Sequence, residues 1–175
     1  RGFGGAGAFS DGKYNFTTKF GGWLNDYIDD EEVMKLIRYV DGINMRHGAP
    51  AKVFTTEGST LGKRALEYDL HLLDASVRHL GTENNLRMLE QTYEYLKEKV
   101  EFHFLTPVSQ IATDGKGDNM LVLADGTTLE AEYLIVAPGR AGAEWFTDEC
   151  KRLGVKLVNN QVDVGVRVEV PDAIF

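Results

Sequence analysis

Residues 119–132 read NMLVLADGTTLEAE, two runs of strand-forming residues on either side of an Asp-Gly pair at Asp125–Gly126. An Asp-Gly pair in this setting is a strong signal for a β-hairpin, because both residues accept the backbone angles of a tight turn. The stretch therefore predicts two antiparallel strands.

The sequence around this hairpin also favours strands. VEFHFL at 100–105 alternates between apolar and polar residues and predicts one strand, and PVSQIAT at 107–113 predicts a second short strand. YLIVAPG at 133–139 is an apolar run without polar alternation, which is typical of a strand covered on both faces of a parallel sheet. After a short helix predicted at 143–153, VDVGVRVEV at 162–170 places its valines on one face and predicts a half-buried strand.

The N-terminal part of the chain is mainly helical in pattern. DDEEVMKLIRYVDGINMRHG at 29–48 has acids at its front, helical apolar spacing and basic residues with a glycine at its end. A short helix is predicted in 60–70, and Thr82 is predicted as the N-cap of a helix over 83–99. Residues 1–22 predict a loop, and 52–55 a short strand.

Composition bounds the class of protein. The 175 residues carry a formal charge of −8 and one cysteine, and 43% are hydrophobic. The acidic charge argues against a nucleic-acid partner, no run is long enough to span a membrane, and a lone cysteine fits a cytoplasmic protein. We predict a single partial domain over 1–175 that enters a second domain near 163. Because the chain starts at Arg1 within structured-looking sequence, we expect a fragment of a longer protein.

The first glycines, Gly2, Gly4 and Gly7, spell the G-x-G-x-x-G of a dinucleotide-binding loop. That loop requires a strand before it, a helix starting at its third glycine and an acid about 20 residues later. Here the sequence has one residue before Gly2, and the turn-forming AFSDGKYN follows Gly7. The context does not fit, and a tightly turned surface loop is the simpler interpretation.

The order of motifs after residue 82 nevertheless resembles the flavin-binding domain of the glutathione-reductase-like flavoproteins. A helix, a strand, TPVSQI at 106–111, the hairpin and the run ending in APG at 137–139 follow one another as in that superfamily. Together with GGAGAFSDGK at 4–13, VRHLGT at 77–82 and VDVGVRVEVP at 162–171, they resemble its NAD/FAD-utilising dehydrogenases. The resemblance implies an α/β protein, α+β in this fragment, with a partial FAD/NAD(P)-binding fold that contains a hairpin and a parallel-sheet strand.

The resemblance also implies a set of cofactor-binding residues. The glycine-rich stretch corresponds to a loop that runs beside flavin and pyrophosphate, Val108 to a residue that contacts adenine through its backbone, and Pro138–Gly139 to the end of the last sheet strand. The implied FAD-proximal residues are Gly4, Gly5, Ala6, Gly7, Ser10, Gly12, Lys13, Val108, Pro138 and Gly139.

The resemblance implies the central part of an FAD-dependent oxidoreductase with a small-molecule substrate and NAD(P)H as a candidate electron donor. The N-terminal strand–turn–helix of the family is missing, so this chain alone is expected to be inactive and to bind FAD weakly or not at all. It is also expected to self-associate through the sheet edge at 133–139.

No residue is assigned as catalytic. The histidines lack metal-ligand spacing and Cys150 lacks a Cys-x-x-Cys partner, so no metal site or redox disulfide is predicted. The alternative to the enzyme is a non-catalytic α/β module that binds a small molecule or a protein.

Overall fold

The computed structural model of the protein describes residues 3–113, 119–159 and 164–171. Within these residues the fold is mixed α+β, with four α-helices and two three-stranded antiparallel sheets. Contacts divide the chain into a first unit, Arg1–Leu105, and a second unit, Thr106–Phe175. The first unit contains β1 (Lys13–Phe16), α1 (Asp30–Arg46), β2 (Phe54–Thr55), α2 (Leu61–Leu66), β3 (Ser76–His79) and α3 (Thr82–Leu96). The second contains β4 (Val108–Thr113), β5 (Asn119–Leu123), β6 (Thr128–Ala131) and α4 (Ala143–Arg152).

The sheet of the first unit has the order β1-β3-β2. Its strands run antiparallel, and β1 pairs with β3 from Lys13 opposite His79 to Phe16 opposite Ser76. A small core of Ala49, Leu80 and Met88 is completed by Tyr14 and Leu89, so that β1 and α3 share one apolar interior. Residues 1–22, predicted as a loop, therefore contain a strand as well as a 3-10 turn at Gly5–Phe9.

The predicted helices are confirmed, with one change in capping. Helix α1 begins where the Asp29 carboxylate accepts a hydrogen bond from the Glu32 amide at 2.9 Å. The acids in its first turn and Arg46 in its last turn both interact favourably with the helix dipole and stabilise the helix. At α3 the N-cap is Gly81 rather than Thr82, because Thr82 already has helical backbone geometry, and no side chain caps that end.

The predicted hairpin is confirmed. The Leu123 amide donates to the Thr127 carbonyl at 2.8 Å, and the Gly126 amide donates to the Leu123 carbonyl at 3.0 Å. Gly126 has a φ of +87°, the left-handed conformation that closes a three-residue hairpin loop. The Asp125 carboxylate accepts bonds from the hydroxyl and amide of Thr127, and these bonds lower the pKa of Asp125.

Helix α4 supplies side chains to the outer edge of β4, the edge that faces away from β5. Trp145 Nε1 donates to the Ser109 carbonyl at 3.0 Å, and the Ile111 amide donates to the Glu149 carboxylate at 2.8 Å. The Arg152 guanidinium donates to the Ile111 carbonyl and to Glu149. Residues 145, 149 and 152 lie on one face of the helix, so a single helix surface satisfies backbone groups that lack a strand partner.

The run at 133–139 does not form the predicted strand of a parallel sheet. Residues 134–138 pair with neither sheet, and every strand pairing in the described residues is antiparallel. The continuous apolar run indicated a strand with other elements packed on both of its faces. Ile135 is instead 91% exposed, and the segment packs through one side only. An extended run becomes a strand only when another backbone offers hydrogen bonds to it, and none does here.

Two further strand predictions were wrong. Residues 101–103 are irregular, and the segment ends in a turn at Phe104–Leu105 in which Leu105 has a φ of +53°. Residues 164–170 have no strand partner among the described residues. Residues 162–163, and with them the predicted entry into a second domain, lie outside the described part of the chain.

The contact between α4 and β4 predicts a pH-dependent stability. Arg152 and the Ile111 amide lower the pKa of Glu149 from 4.5 to about 2, because both stabilise the charged carboxylate. This contribution to the free energy of unfolding is complete above pH 4.5 and is lost as the pH falls toward 2. Glu149→Gln is expected to lower the free energy of unfolding at pH 7 by about 1–3 kcal/mol and to weaken the acid dependence.

Denaturant unfolding at several pH values measures both effects. Glu144→Gln, an exposed change on the same helix that removes only a first-turn charge, is the matched control and is expected to alter both much less. Equal stability and equal acid dependence of Glu149→Gln and the unchanged protein would contradict the assigned contact.

Candidate functional site

Seven of the predicted cofactor-binding residues lie together in the first unit. They belong to a glycine loop, residues 4–13, which contains the 3-10 turn at Gly5–Phe9 and ends at the first residue of β1. The seven residues are Gly4, Gly5, Ala6, Gly7, Ser10, Gly12 and Lys13. Two backbone bonds hold the loop to the connection between β3 and α3, from the Leu80 amide to the Gly12 carbonyl and from the Gly81 amide to the Asp11 carbonyl.

The side chain of Asn85 holds the glycine loop in place. It is 1% exposed, donates from Nδ2 to the Gly7 carbonyl at 2.6 Å, and accepts from the Tyr14 hydroxyl at 2.9 Å. Both ends of its amide are therefore bonded, as a buried polar group requires. The side chain joins the loop, β1 and α3, and it was not identified from the sequence because Asn at a helix start resembles an ordinary polar position.

The glycines of the loop fall into two groups. Gly4 and Gly12 have φ of +80° and +62°, and a Cβ there would lie 2.8 Å from Leu89 Cδ1 and 2.9 Å from Asn85 Cβ, respectively. Packing against the chain's own helix α3 explains both of these glycines. Gly5 and Gly7 have no atom within 4 Å of an added Cβ, so there is open space beside these two glycines.

The polar groups of the loop are largely occupied by one another. Ser10 Oγ donates to the Gly7 carbonyl at 2.9 Å and accepts from the Gly12 amide at 3.1 Å. Lys13 Nζ lies 2.9 Å from the Asp11 carboxylate and lowers the pKa of Asp11. A pyrophosphate at Ser10, Gly12 or Lys13 would therefore compete with bonds inside the loop and would lie near the Asp11 carboxylate.

The other predicted residues lie in the second unit. Val108 on β4 and Pro138 line one cavity of about 430 Å³, together with Ile111, Leu121, Val136 and Trp145. Gly139 follows Pro138 with a φ of +65° and does not line the cavity. Val108 and Pro138, which are far apart in the sequence, thus line one cavity.

The chemistry of this cavity is apolar. None of the described side chains that line it is charged, and the indole of Trp145 is fixed at its rim by the bond to the Ser109 carbonyl. Small-molecule pockets of this size are mostly apolar with a few polar groups that orient the ligand. The walls therefore suit an uncharged, apolar group, and no described lining side chain carries a charge that would bind a phosphate.

Arg78, in the stretch VRHLGT, has a structural environment. It is 4% exposed, forms two bonds of 2.6 and 2.8 Å with the Asp41 carboxylate, and donates to the Pro50 carbonyl. The carboxylate raises the pKa of Arg78. With its donors occupied, this side chain ties β3 to α1, and His79 beside it stays exposed, 4.0 Å from Asp11.

The described residues show neither a metal site nor a membrane-spanning helix. No group of three His, Cys, Asp or Glu side chains there could hold a metal ion, and Cys150 is buried as a free thiol. No helix in that part of the chain has the length and apolarity to cross a membrane.

Comparison with protein-family models, curated proteins and solved structures found no match to this chain. The flavoprotein assignment therefore stays a prediction.

The two groups of glycines predict different changes in the free energy of unfolding when one methyl group is added. Gly12→Ala forces a left-handed alanine against Asn85, and we expect it to lower the free energy of unfolding by about 2–4 kcal/mol. Gly7→Ala, in open space and without a positive φ, is expected to change the free energy of unfolding by less than about 1 kcal/mol. Denaturant unfolding of both variants checks the difference, and a Gly12→Ala variant as stable as Gly7→Ala would refute the packing role.

Proposed function

We propose that this chain is the central part of a flavin-dependent oxidoreductase and that its second unit receives the adenine ring of FAD. The observation that carries the proposal is the shared cavity of Val108 and Pro138. The resemblance implies adenine contact at Val108 and dinucleotide contact at Pro138, and the shared cavity allows a single ring to touch both residues.

The fit to FAD is partial. The cavity suits the adenine ring, whereas the glycine loop keeps its serine hydroxyl and the Gly12 amide in internal bonds and pairs Lys13 with Asp11. We therefore propose weak binding that is dominated by adenine. The isoalloxazine ring of FAD supplies the redox chemistry when the cofactor is bound, with NAD(P)H as proposed electron donor and a small organic molecule as substrate. The role of the chain's own residues is to hold and orient the nucleotide.

The alternative, a binding module without catalysis, also has an observation in its favour. The first unit has an apolar groove of about 310 Å³ between β1 and α1, lined by Tyr14, Phe16, Val33, Ile37 and Val40 among others. A module of this kind would bind its ligand in the first unit, so the location of ligand binding separates the two functions.

The test compares adenosine monophosphate with flavin mononucleotide, each titrated into the protein and followed by NMR chemical shifts. We expect the adenine nucleotide to bind with a dissociation constant of about 1 mM and to shift signals of β4 and residues 134–138. Flavin mononucleotide, which lacks adenine, is expected to bind far more weakly.

Matched variants locate the site. Val136→Asp places a carboxylate in the cavity wall and is expected to weaken adenosine monophosphate binding at least about tenfold, because the charge must be buried against the ring. Val158→Asp, an exposed change in the same unit, is expected to leave binding unchanged. Equal binding by both variants, or shifts confined to β1 and α1, would exclude the proposed site and favour the binding module.

A further inference from the structure

The sheet of the second unit has two different edges. The outer edge of β4 is covered by Trp145, Glu149 and Arg152 of α4. The outer edge of β6 faces away from β5 and carries no strand in the described residues. The bond from the Leu123 amide to the Thr127 carbonyl sets the alternation along β6, which directs the backbone groups of Thr128 and Glu130 outward.

The same unit contains an extended segment without a partner. In the valine segment, residues 164–170, Val164 is 93% and Val166 is 89% exposed. Arg167 and Glu169 form an ion pair of 2.6 Å, which places these two residues on the same side of the backbone. The segment thus has one valine face and one charged face, the period of two that belongs to a β-strand.

The valine segment and the open edge of β6 match in chemistry. Ile111, Leu121 and Leu129 stand opposite one another across β4, β5 and β6, forming an apolar row on one face of the sheet. A fourth strand would extend this row with valines. Arg167 and Glu169 on its other face would lie on the side of the sheet that carries Glu130. In the register that sets Arg167 opposite Glu130, the opposite charges across neighbouring strands stabilise the pairing.

We propose that two copies of the chain form a dimer in which the valine segment of each copy adds as a fourth strand to the outer edge of β6 of the other. The occupant is a second copy because the segment is not seated on the β6 edge of its own chain. Each copy carries both a strand to donate and an edge to receive it, so the exchange closes with two-fold symmetry. This moves the expected self-association from residues 133–139 to β6.

Light scattering over about a hundredfold range of protein concentration tests the dimer. The unchanged protein is expected to be dimeric at high concentration and to dissociate on dilution. Val166→Lys, which puts a charge on the valine face, and Glu130→Pro, which removes an outward amide from β6, are both expected to be monomeric throughout. Val158→Lys, at another exposed valine of the same unit, is the control and is expected to dimerise normally.

A charge exchange tests the pairing of Arg167 with Glu130 of the other copy. Glu130→Arg and Arg167→Glu are each expected to raise the dissociation constant about fivefold, and the double variant is expected to restore it. Circular dichroism establishes that each variant is folded. An unchanged protein that is monomeric at every concentration would overturn the proposal. A dimer that survives either Val166→Lys or Glu130→Pro would also overturn it, because the exchange requires both the segment and the edge.

Discussion

The Ile111 amide and carbonyl point away from β5, and the side chains of Glu149 and Arg152 take the place of the strand that would otherwise bind them. A backbone donor left unpaired in this position would cost about 1–3 kcal/mol. A buried carboxylate would be costly as well, but Glu149 is compensated by the guanidinium of Arg152 and by the amide it accepts from. The contact thus joins two buried groups, the Ile111 amide and the Glu149 carboxylate, that would each be costly alone, and the partly exposed Arg152 completes it.

The contact between α4 and β4 determines the other features of the second unit. It places Trp145 at the rim of the apolar cavity and closes one edge of the sheet, which leaves β6 as the edge open to a further strand. The first unit is organised in the same manner by Asn85, whose amide joins Gly7 to Tyr14. In both units a side chain on a helix completes the hydrogen bonding of irregular or edge backbone, and the candidate sites lie beside these positions.

Local sequence signals predicted the elements whose determinants are local. Capping and apolar spacing located α1, and the Asp-Gly pair located the β5–β6 hairpin. The run at 133–139 and the valine segment were misassigned because strand formation requires a partner backbone, and no local pattern reveals whether one is present. The glycine-rich opening spelled a nucleotide motif, yet Gly4 and Gly12 serve packing against α3. Asn85, Glu149 and Arg152 were missed since their partners lie far away in sequence, although Trp145, Glu149 and Arg152 share one helix face. For the site, the resemblance named Val108 and Pro138 separately, and their shared cavity depends on long-range packing that the sequence does not reveal.

The most direct measurement is the hydrogen exchange rate of the Ile111 amide, compared by NMR with that of the outward Glu130 amide in dilute, monomeric protein. If Glu149 accepts the Ile111 proton, the Ile111 amide exchanges much more slowly than the Glu130 amide, and its chemical shift follows the titration of a carboxyl with a pKa of about 2. An Ile111 amide that exchanges as fast as that of Glu130, with no such titration, would contradict the closure of the β4 edge and the features that depend on it.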